Sequence, residues 1–394
     1  MKFYKKVLAN GMTVLFEKRD VGVTTVMLAT KFGSEYESES EKGIAHFIEH
    51  MAFKGTEKRT TREIAFELEK VGGVLNAFTG EEETAYHVKL PSEHLEVAMD
   101  VIFDIFFNPR LDEEEMKKEC NVICEEIKMY HDNPQRHVLE EIKNCLYKKP
   151  FGIFGAGTQE SVRALTREQL FEKHRSIYCP KNAILSVVGN NDFEEIIGLA
   201  EKFSVKRELK INEIPKIELQ NLKKIENRAE LEQANLAIGI HFPYSGNEKY
   251  AAMVFETILG SGMSSKLFTE VREKRGLAYA VKTSADLSKN YGYLVIYVGT
   301  EKEKVEEVIR ICIEEFGKMA LISEKELEDG KTQIIGNYGV MSEDSSSVAQ
   351  NLISEEIGES AEEYYKFREN IMKVSLDDIK KIAKIKDYAS FVLS

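Results

Sequence analysis

The sequence has few cysteines, no long apolar run and no dense basic cluster, and each of these absences argues against a class of protein. Its five cysteines form an odd set without zinc-knuckle spacing, which is typical of a reducing compartment and not of a disulfide framework. No apolar stretch approaches the ~20 residues that a bilayer-spanning helix needs, so no membrane association is expected. Because the net charge is −13 and no Lys/Arg cluster offsets it, nucleic acid is not an expected partner.

The N-terminal residues also lack the continuous apolar segment of a signal peptide. Asn10-Gly11 instead separates two alternating runs, a pattern that predicts a β-hairpin. Together with the odd set of cysteines, this pattern predicts a cytoplasmic protein. Residues 260–266, GSGMSSK, do not have the spacing of a P-loop, and no G-x-S-x-G sequence occurs. Neither nucleotide-driven nor serine-based hydrolysis is therefore indicated.

The length of the chain and the order of its predicted elements indicate two related domains. A chain of 394 residues is longer than one compact core usually supports. Residues 1–204 and 227–394 each read as strands followed by several helices, and the highly charged residues 205–226 are predicted to link them. We therefore predict an α+β protein with two homologous domains, each an antiparallel-rich sheet with helices packed on one side.

The stretch GIAHFIEHMAFKGT, residues 43–56, carries the first candidate site. In a helix, His46 and His50 are about 40° apart around the axis, so both project from one face, and Glu49 flanks that face. Two neutral imidazoles on adjacent turns can bind one zinc ion, and a carboxylate beside them can take a proton from the water that the metal activates. This is the H-x-x-E-H arrangement of inverzincin metalloproteases. The alternative is a helix with two surface or backbone-bonded histidines.

A third ligand is needed, and a predicted helix at about 112–131 offers candidates. Glu119 and Glu126 are seven residues apart and therefore lie on nearly the same helical face. If Glu126 binds zinc, Glu119 comes close enough to orient a ligand or the water. The alternative is that this Glu/Lys-rich helix only presents a solvated face, and Cys120 and Cys124 keep a cysteine ligand open.

Taken together, these motifs resemble the pitrilysin (insulinase) family of zinc metallopeptidases, in the branch of the mitochondrial processing peptidase β-subunit and its bacterial half-sized relatives. The family pattern places a glutamate about 75 residues after H-x-x-E-H, and Glu126 stands at that distance from His50. The stretches HMAFKGT, LNAFTG and VREKRGLAYAV extend the resemblance through both halves. It implies one zinc ion per chain held by His46, His50 and Glu126, with Glu49 as general base and Glu119 as a supporting carboxylate.

The resemblance also implies substrate-binding residues in both halves. Asn76 and Ala77 of LNAFTG would lie on an edge strand beside the zinc, where an extended peptide can add as a further strand. Arg272 and Tyr279 of VREKRGLAY match the family's Arg/Tyr pair, which would bind a substrate carbonyl or the developing oxyanion. Arg275 competes for the arginine role, although its spacing from Tyr279 fits less well.

The family's chamber contains four homologous domains, whereas this chain supplies about two. We therefore expect a homodimer in which Arg272 and Tyr279 of one chain act on the zinc site of the other. The predicted function is zinc-dependent endoproteolysis of short or unfolded peptides in an enclosed chamber, with water activated by Glu49. One alternative is a thioether-cleaving lyase with a cysteine as third ligand. Another is a catalytically silent or partner-dependent peptide-binding subunit of a hetero-complex.

Overall fold

The computed structural model describes residues 2–210 and 214–394. Part of the predicted linker, residues 211–213, lies outside the described residues, and its last four residues form a strand. The strands are β1 Lys2–Val7, β2 Thr13–Lys18, β3 Val23–Thr30, β4 Val74–Thr79, β5 Thr84–Pro91, β6 Ala183–Gly189, β7 Lys223–Glu226, β8 Ala234–His241, β9 Ala278–Leu287, β10 Gly292–Thr300 and β11 Ala389–Leu393.

The helices follow the strands in both halves of the chain. In the first half they are α1 Ile44–Ala52, α2 Thr61–Glu69, α3 Leu95–Phe107, α4 Glu113–Asp132, α5 Pro134–Leu146, α6 Gln159–Ala164, α7 Arg167–Ile177 and α8 Phe193–Phe203. In the second half they are α9 Glu248–Gly260, α10 Val305–Lys318, α11 Glu324–Met341, α12 Ser345–Gly358, α13 Glu363–Met372 and α14 Leu376–Ile382.

The two sheets share one topology. The first has the strand order β1-β2-β6-β3-β5-β4, and the second has the order β7-β11-β8-β10-β9. In each sheet a single parallel pair, β2/β6 or β7/β11, lies beside a run of antiparallel strands. The order from β2 to β4 in the first sheet therefore recurs from β7 to β9 in the second. This recurrence confirms the predicted α+β class with two homologous, antiparallel-rich domains.

Local sequence signals account for several of these elements. The predicted hairpin at Asn10-Gly11 is present: β1 pairs antiparallel with β2, and Gly11 adopts a φ of 89° in the turn. Helix α2 begins with a capping box, in which the Thr60 hydroxyl accepts from the amide of Glu63 and the Glu63 carboxylate accepts from the amide of Thr60. Asn133 caps the start of α5, with Pro134 in its first turn.

The compact units are not continuous in sequence. The first unit consists of Met1–Ile127, Gly155–Pro215 and Met341–Tyr364, and the second of Lys128–Phe154, Lys216–Val340 and Tyr365–Ser394. The first unit thus contains α12 from the second half of the chain, and the second unit contains α5 from the first half. The predicted boundaries, 1–204 and 227–394, differ from these units, which exchange one helix each, and β7 of the second sheet lies within the predicted linker.

In each unit the exchanged helix covers the second face of the sheet. In the second unit Leu236 and Ile238 of β8 pack in the main core, while Ala237 between them packs in the cluster formed with α5. In the first unit Val26 packs in the main core, and the hydroxyl of adjacent Thr25 lies 2.8 Å from that of Ser345 on α12. Most helices pack on one face as predicted, and one further helix lies on the other.

None of the described helices combines the length and the apolar character that a membrane span requires. All five cysteines are unpaired thiols.

Gly239 of β8 provides a test of the packing of α5 against its sheet. A Cβ atom built there would lie 2.6 Å from Leu146 Cδ1 and 2.9 Å from Ile142 Cγ1, both on α5. We expect Gly239→Ala to lower the free energy of unfolding by about 1–3 kcal/mol, because the helix must move or its side chains must leave their rotamers. The measurement is the midpoint of urea unfolding.

Gly198→Ala is the matched control, since Gly198 is exposed within α8 and a Cβ there meets nothing within 4 Å. Alanine at that helical position is expected to stabilise the protein by about 0.5–1 kcal/mol. Equal midpoints for Gly239→Ala and the unmodified protein would contradict the close approach of α5.

Candidate metal centre

Helix α1 has a buried face and a half-buried face. Ile44, Phe47, Ile48 and Met51 are fully buried in the core of the first unit. His46, Glu49 and His50 occupy the other face, where they are partly accessible. The apolar spacing that drives the helix into the core therefore leaves the three polar side chains together on its open side.

The start of α1 is fixed by a buried carboxylate that the sequence analysis did not identify. Glu37 accepts hydrogen bonds from the amides of Gly43 and Ala45 at 3.1 and 2.8 Å, and Gly43 adopts a φ of 94°. Burial raises the pKa of Glu37, while the Lys42 ammonium, 3.5 Å away, opposes that shift. Glu37 and Lys42 are both fully buried, so this pair anchors the first turn of the helix. No local motif distinguishes Glu37 from neighbouring glutamates.

Helix α4 brings Glu126 to the two imidazoles. Its Oε2 atom lies 3.5 Å from His50 Nε2 and 3.9 Å from His46 Nε2, and the ring centroids of the two histidines are 4.5 Å apart. Ligand atoms about 3.4 Å apart are what tetrahedral zinc with bonds of roughly 2.0–2.1 Å requires. The donor set of two imidazoles and one carboxylate therefore fits zinc with one coordination position left open.

Glu119 lies behind His50 and supports it. Its Oε2 atom is 3.1 Å from His50 Nδ1, which leaves the Nε2 atom of that ring directed at Glu126. Lys54 Nζ is 2.5 Å from the other carboxylate oxygen. Burial raises the pKa of Glu119, but the hydrogen bonds from His50 and Lys54 outweigh burial and lower it. An anionic carboxylate on the second nitrogen of a histidine fixes its tautomer and makes the ring a stronger metal ligand.

Glu49 is held by a side chain of the adjacent edge strand. Its Oε2 atom accepts a hydrogen bond of 2.6 Å from the hydroxyl of Thr79 on β4. Burial raises the pKa of Glu49, and the bond from Thr79 offsets part of that shift. A carboxyl group with a raised pKa is better suited to take up and release a proton near neutral pH.

The two imidazoles titrate in opposite directions. Burial, with a smaller contribution from His50, lowers the pKa of His46 to about 4. Burial would also lower the pKa of His50, but its bonds to Glu119 and Glu126 outweigh burial and raise it to about 9. The surrounding carboxylates thus favour positive charge at His50, which is the charge that a metal ion would supply.

The cysteines of α4 do not contribute to this centre. Among the described residues, the metal-capable group at this place consists of His46, His50 and Glu126. Cys124 is buried in the apolar core, and burial raises the pKa of the Cys120 thiol. A raised thiol pKa opposes the thiolate form that binds zinc, so the alternative of a lyase with a cysteine ligand has no support in this geometry.

Strand β4, which carries Asn76 and Ala77, forms one edge of the first sheet. The amide of Ala77 donates to the Asn76 side chain at 2.9 Å and not to β5. Because alternate residues of a strand direct their backbone groups to the same side, Leu75, Ala77 and Thr79 present theirs towards the open edge. This edge can pair with an extended peptide.

Arg272 and Tyr279 lie in the second unit. Arg272 is in a π-helical turn, Phe268–Glu273, and its guanidinium is 4.9 Å from the Phe268 ring centroid. Tyr279 is 49% exposed on β9, which forms an edge of the second sheet. The competing Arg275 is bound to Glu270 at 2.5 Å.

Both halves of the sequence match profiles of one peptidase family. Residues 13–154 match the family described as Insulinase (Peptidase family M16), and residues 164–334 match the Peptidase M16 inactive domain. The histidine pair lies within the first match. The second half contains no H-x-x-E-H sequence, in keeping with that description.

Relatives similar along most of their length are described as uncharacterized zinc proteases. A Rickettsia felis protein is 36% identical over 94% of this chain and 92% of its own length. The Bacillus subtilis protein YmxG is 34% identical over 86% and 84%, and Mycobacterium tuberculosis Rv2782c is 31% identical over 89% and 83%.

Solved structures show the same fold at lower identity. A protease from Helicobacter pylori superposes with a TM-score of 0.91 at 22% identity, covering 100% of this chain and 99% of its own. A chain of complex III2 from Candida albicans superposes with a TM-score of 0.86 at 18% identity, covering 99% and 95%.

Replacement of Glu119 tests its support of His50. We expect Glu119→Gln to weaken zinc binding by about 10- to 100-fold, because the amide cannot act as a charged acceptor for the Nδ1 hydrogen of His50. The measurement is competition for zinc with a chromophoric chelator. Glu125→Gln is the matched control on the exposed side of the same helix. Unchanged affinity in Glu119→Gln would show that this carboxylate does not act on the metal ligand.

Proposed function

The chain belongs to the insulinase (M16, pitrilysin) family of peptidases, and we propose on that premise that it is a zinc-dependent endopeptidase acting on short or unfolded peptides. The observation that carries the proposal is the convergence of Glu126 Oε2 on the Nε2 atoms of His46 and His50, at 3.9 and 3.5 Å. The relatives are described as zinc proteases, and this description supports zinc as the metal. One ion per chain is proposed at this centre.

The residues around this centre suit hydrolysis of a peptide bond. A bound zinc ion would supply Lewis acidity, polarising the carbonyl and lowering the pKa of a water molecule towards ~7. Glu49, on the same face of α1 as both histidines, would act as the general base, holding a proton taken from water and passing it to the leaving nitrogen. Thr79 holds the Glu49 carboxylate in place, and Glu119 keeps His50 oriented.

The edge strand β4 is proposed to bind the substrate as an additional strand. Backbone pairing at Ala77 would read the extended shape of a peptide and little of its sequence. The Asn76 side chain, which accepts the Ala77 amide hydrogen bond, would release that amide to a substrate carbonyl. An extended chain is required for such pairing, which favours short or unfolded peptides over folded domains.

We propose further that the protein is a homodimer with active sites shared between its subunits. The family's chamber is built from four homologous domains, and this chain has two. Arg272 and Tyr279 would then stabilise the oxyanion in the zinc site of the other subunit.

The second candidate function is a catalytically silent or partner-dependent peptide-binding subunit. The match of residues 164–334 to a domain described as inactive supports this alternative. A cytoplasmic location remains a prediction.

Glu49→Gln tests the peptidase proposal. The amide cannot accept a proton, so we expect cleavage of a quenched fluorescent peptide library to fall by about 10²–10⁴-fold. Zinc content, measured by atomic absorption, should remain that of the unmodified protein, because Glu49 is not among the ligands. Glu69→Gln, at the exposed end of α2, is the matched control. In the unmodified protein, a chelator should abolish cleavage and zinc should restore it.

Near-native cleavage by Glu49→Gln would show that the role assigned to Glu49 is wrong. A folded dimer that holds no zinc and cuts no peptide would favour the silent subunit.

Mixing two inactive variants tests the shared site. A heterodimer of Glu49→Gln and Arg272→Ala chains contains one site with both groups intact if Arg272 acts on the other subunit. Random exchange should then restore about a quarter of native activity. Glu49→Gln mixed with the double variant Glu49→Gln/Arg272→Ala is the control and should stay inactive. Absence of rescue in a mixture shown to exchange subunits would reject the shared site.

A further inference from the structure

A second group of metal-capable side chains lies in the second unit. His131 near the C-terminal end of α4, His137 on α5 and Glu226 at the end of β7 each offer one ligand atom, and these atoms lie within 4.8 Å of one another. We propose that this group is a second binding site for a divalent transition-metal ion such as Zn²⁺ or Ni²⁺. The proposal does not depend on the peptidase activity.

Two of the three ligands are held in place. His137 Nε2 is 2.8 Å from Glu226 Oε2, and the His137 ring is buried with its edge against Phe391, 5.5 Å between centroids. The third ligand, His131, is on the surface: its side chain is 57% exposed, its Nδ1 atom lies 3.4 Å from Asp132 Oδ1, and its ring centroid is 4.7 Å from that of His137. This exposed ring is the ligand that would turn towards an ion held by the other two.

The turn between the two helices supports this arrangement. Asn133 is the one residue between α4 and α5, and its side chain caps α5 by accepting the amide hydrogen of Arg136 at 3.0 Å. The two histidines consequently lie on either side of a defined helix break and face each other. A bound ion would connect this turn to strand β7.

Arg228 shows that the group favours a cation. Its guanidinium donates to Glu226 Oε1 at 2.7 Å, to His131 Nε2 at 2.9 Å and to the His131 carbonyl at 2.7 Å. A metal ion would compete with this guanidinium for the same carboxylate and the same imidazole lone pair. Arg228 therefore lowers the affinity of the site, and its removal should raise the affinity.

The donor chemistry selects the class of ion. Two imidazoles and one carboxylate suit zinc, nickel and copper, whereas calcium and magnesium require oxygen ligands. The same donor types occur at the centre on α1, so a preparation rich in zinc would load both sites.

Metal stoichiometry tests the proposal. In titrations with Co²⁺ and Zn²⁺, we expect the unmodified full chain to bind one more metal ion per chain than His131→Ala binds. This difference should not depend on the occupancy of the α1 centre. His94→Ala is the matched control, because His94 is partly exposed beside a single carboxylate, Glu93, and should cost no equivalent. Arg228→Ala should keep the additional equivalent and bind it roughly tenfold more tightly, since two charge-assisted hydrogen bonds no longer compete.

Two results would overturn the proposal. The first is equal stoichiometry in the unmodified protein and His131→Ala at saturating metal. The second is an Arg228→Ala protein that binds no more metal ions per chain than His131→Ala binds. Because His131 is exposed, loss of folding is not expected to obscure either comparison.

Discussion

Two carboxylates of α4, about two helical turns apart, hold a single imidazole of α1 from both sides, and the centre depends on that contact. Glu119 fixes His50 through Nδ1, and Glu126 faces its Nε2. Two carboxylates that contact the same ring favour positive charge on it. Lys54 supplies one positive charge at Glu119, and the bonds of His50 to Glu119 and Glu126 raise the pKa of that ring to about 9 against the effect of burial. A divalent ion bound between the ring and Glu126 would supply the positive charge that these carboxylates favour.

The duplicated sheets explain how this contact is kept rigid. Every residue of β6 is buried, as are those of β3 after Val23, because helices cover both faces of the first sheet. The second face is covered by α12, which comes from the other half of the chain, and α5 does the same for the second sheet. Exchange of equivalent helices leaves neither sheet with an open apolar face. The metal ligands are consequently carried by elements anchored in a continuous core.

Features that depend on a short stretch of sequence could be predicted, whereas contacts between distant segments could not. The Asn10-Gly11 hairpin, the helix carrying His46 and the two-domain α+β class follow from local pattern and element order. The exchange of α5 and α12 does not, because an amphipathic helix does not specify which sheet it covers. The role of the Glu37 carboxylate in capping α1 could not be predicted from the sequence either, because its partners are backbone amides. The approach of Glu126 to His50 came only from the family resemblance.

The second half retains one feature of the centre without its histidines. Helix α9 follows β8 as α1 follows β3, and Glu256 on α9 accepts a hydrogen bond from Thr283 on the edge strand β9, as Glu49 does from Thr79 on β4. Burial raises the pKa of both glutamates. Since the pair persists where no histidine accompanies it, the Glu–Thr bond positions a helix against an edge strand independently of metal. Glutamine can accept the same bond, so its substitution for Glu49 removes the proton acceptor while keeping this contact.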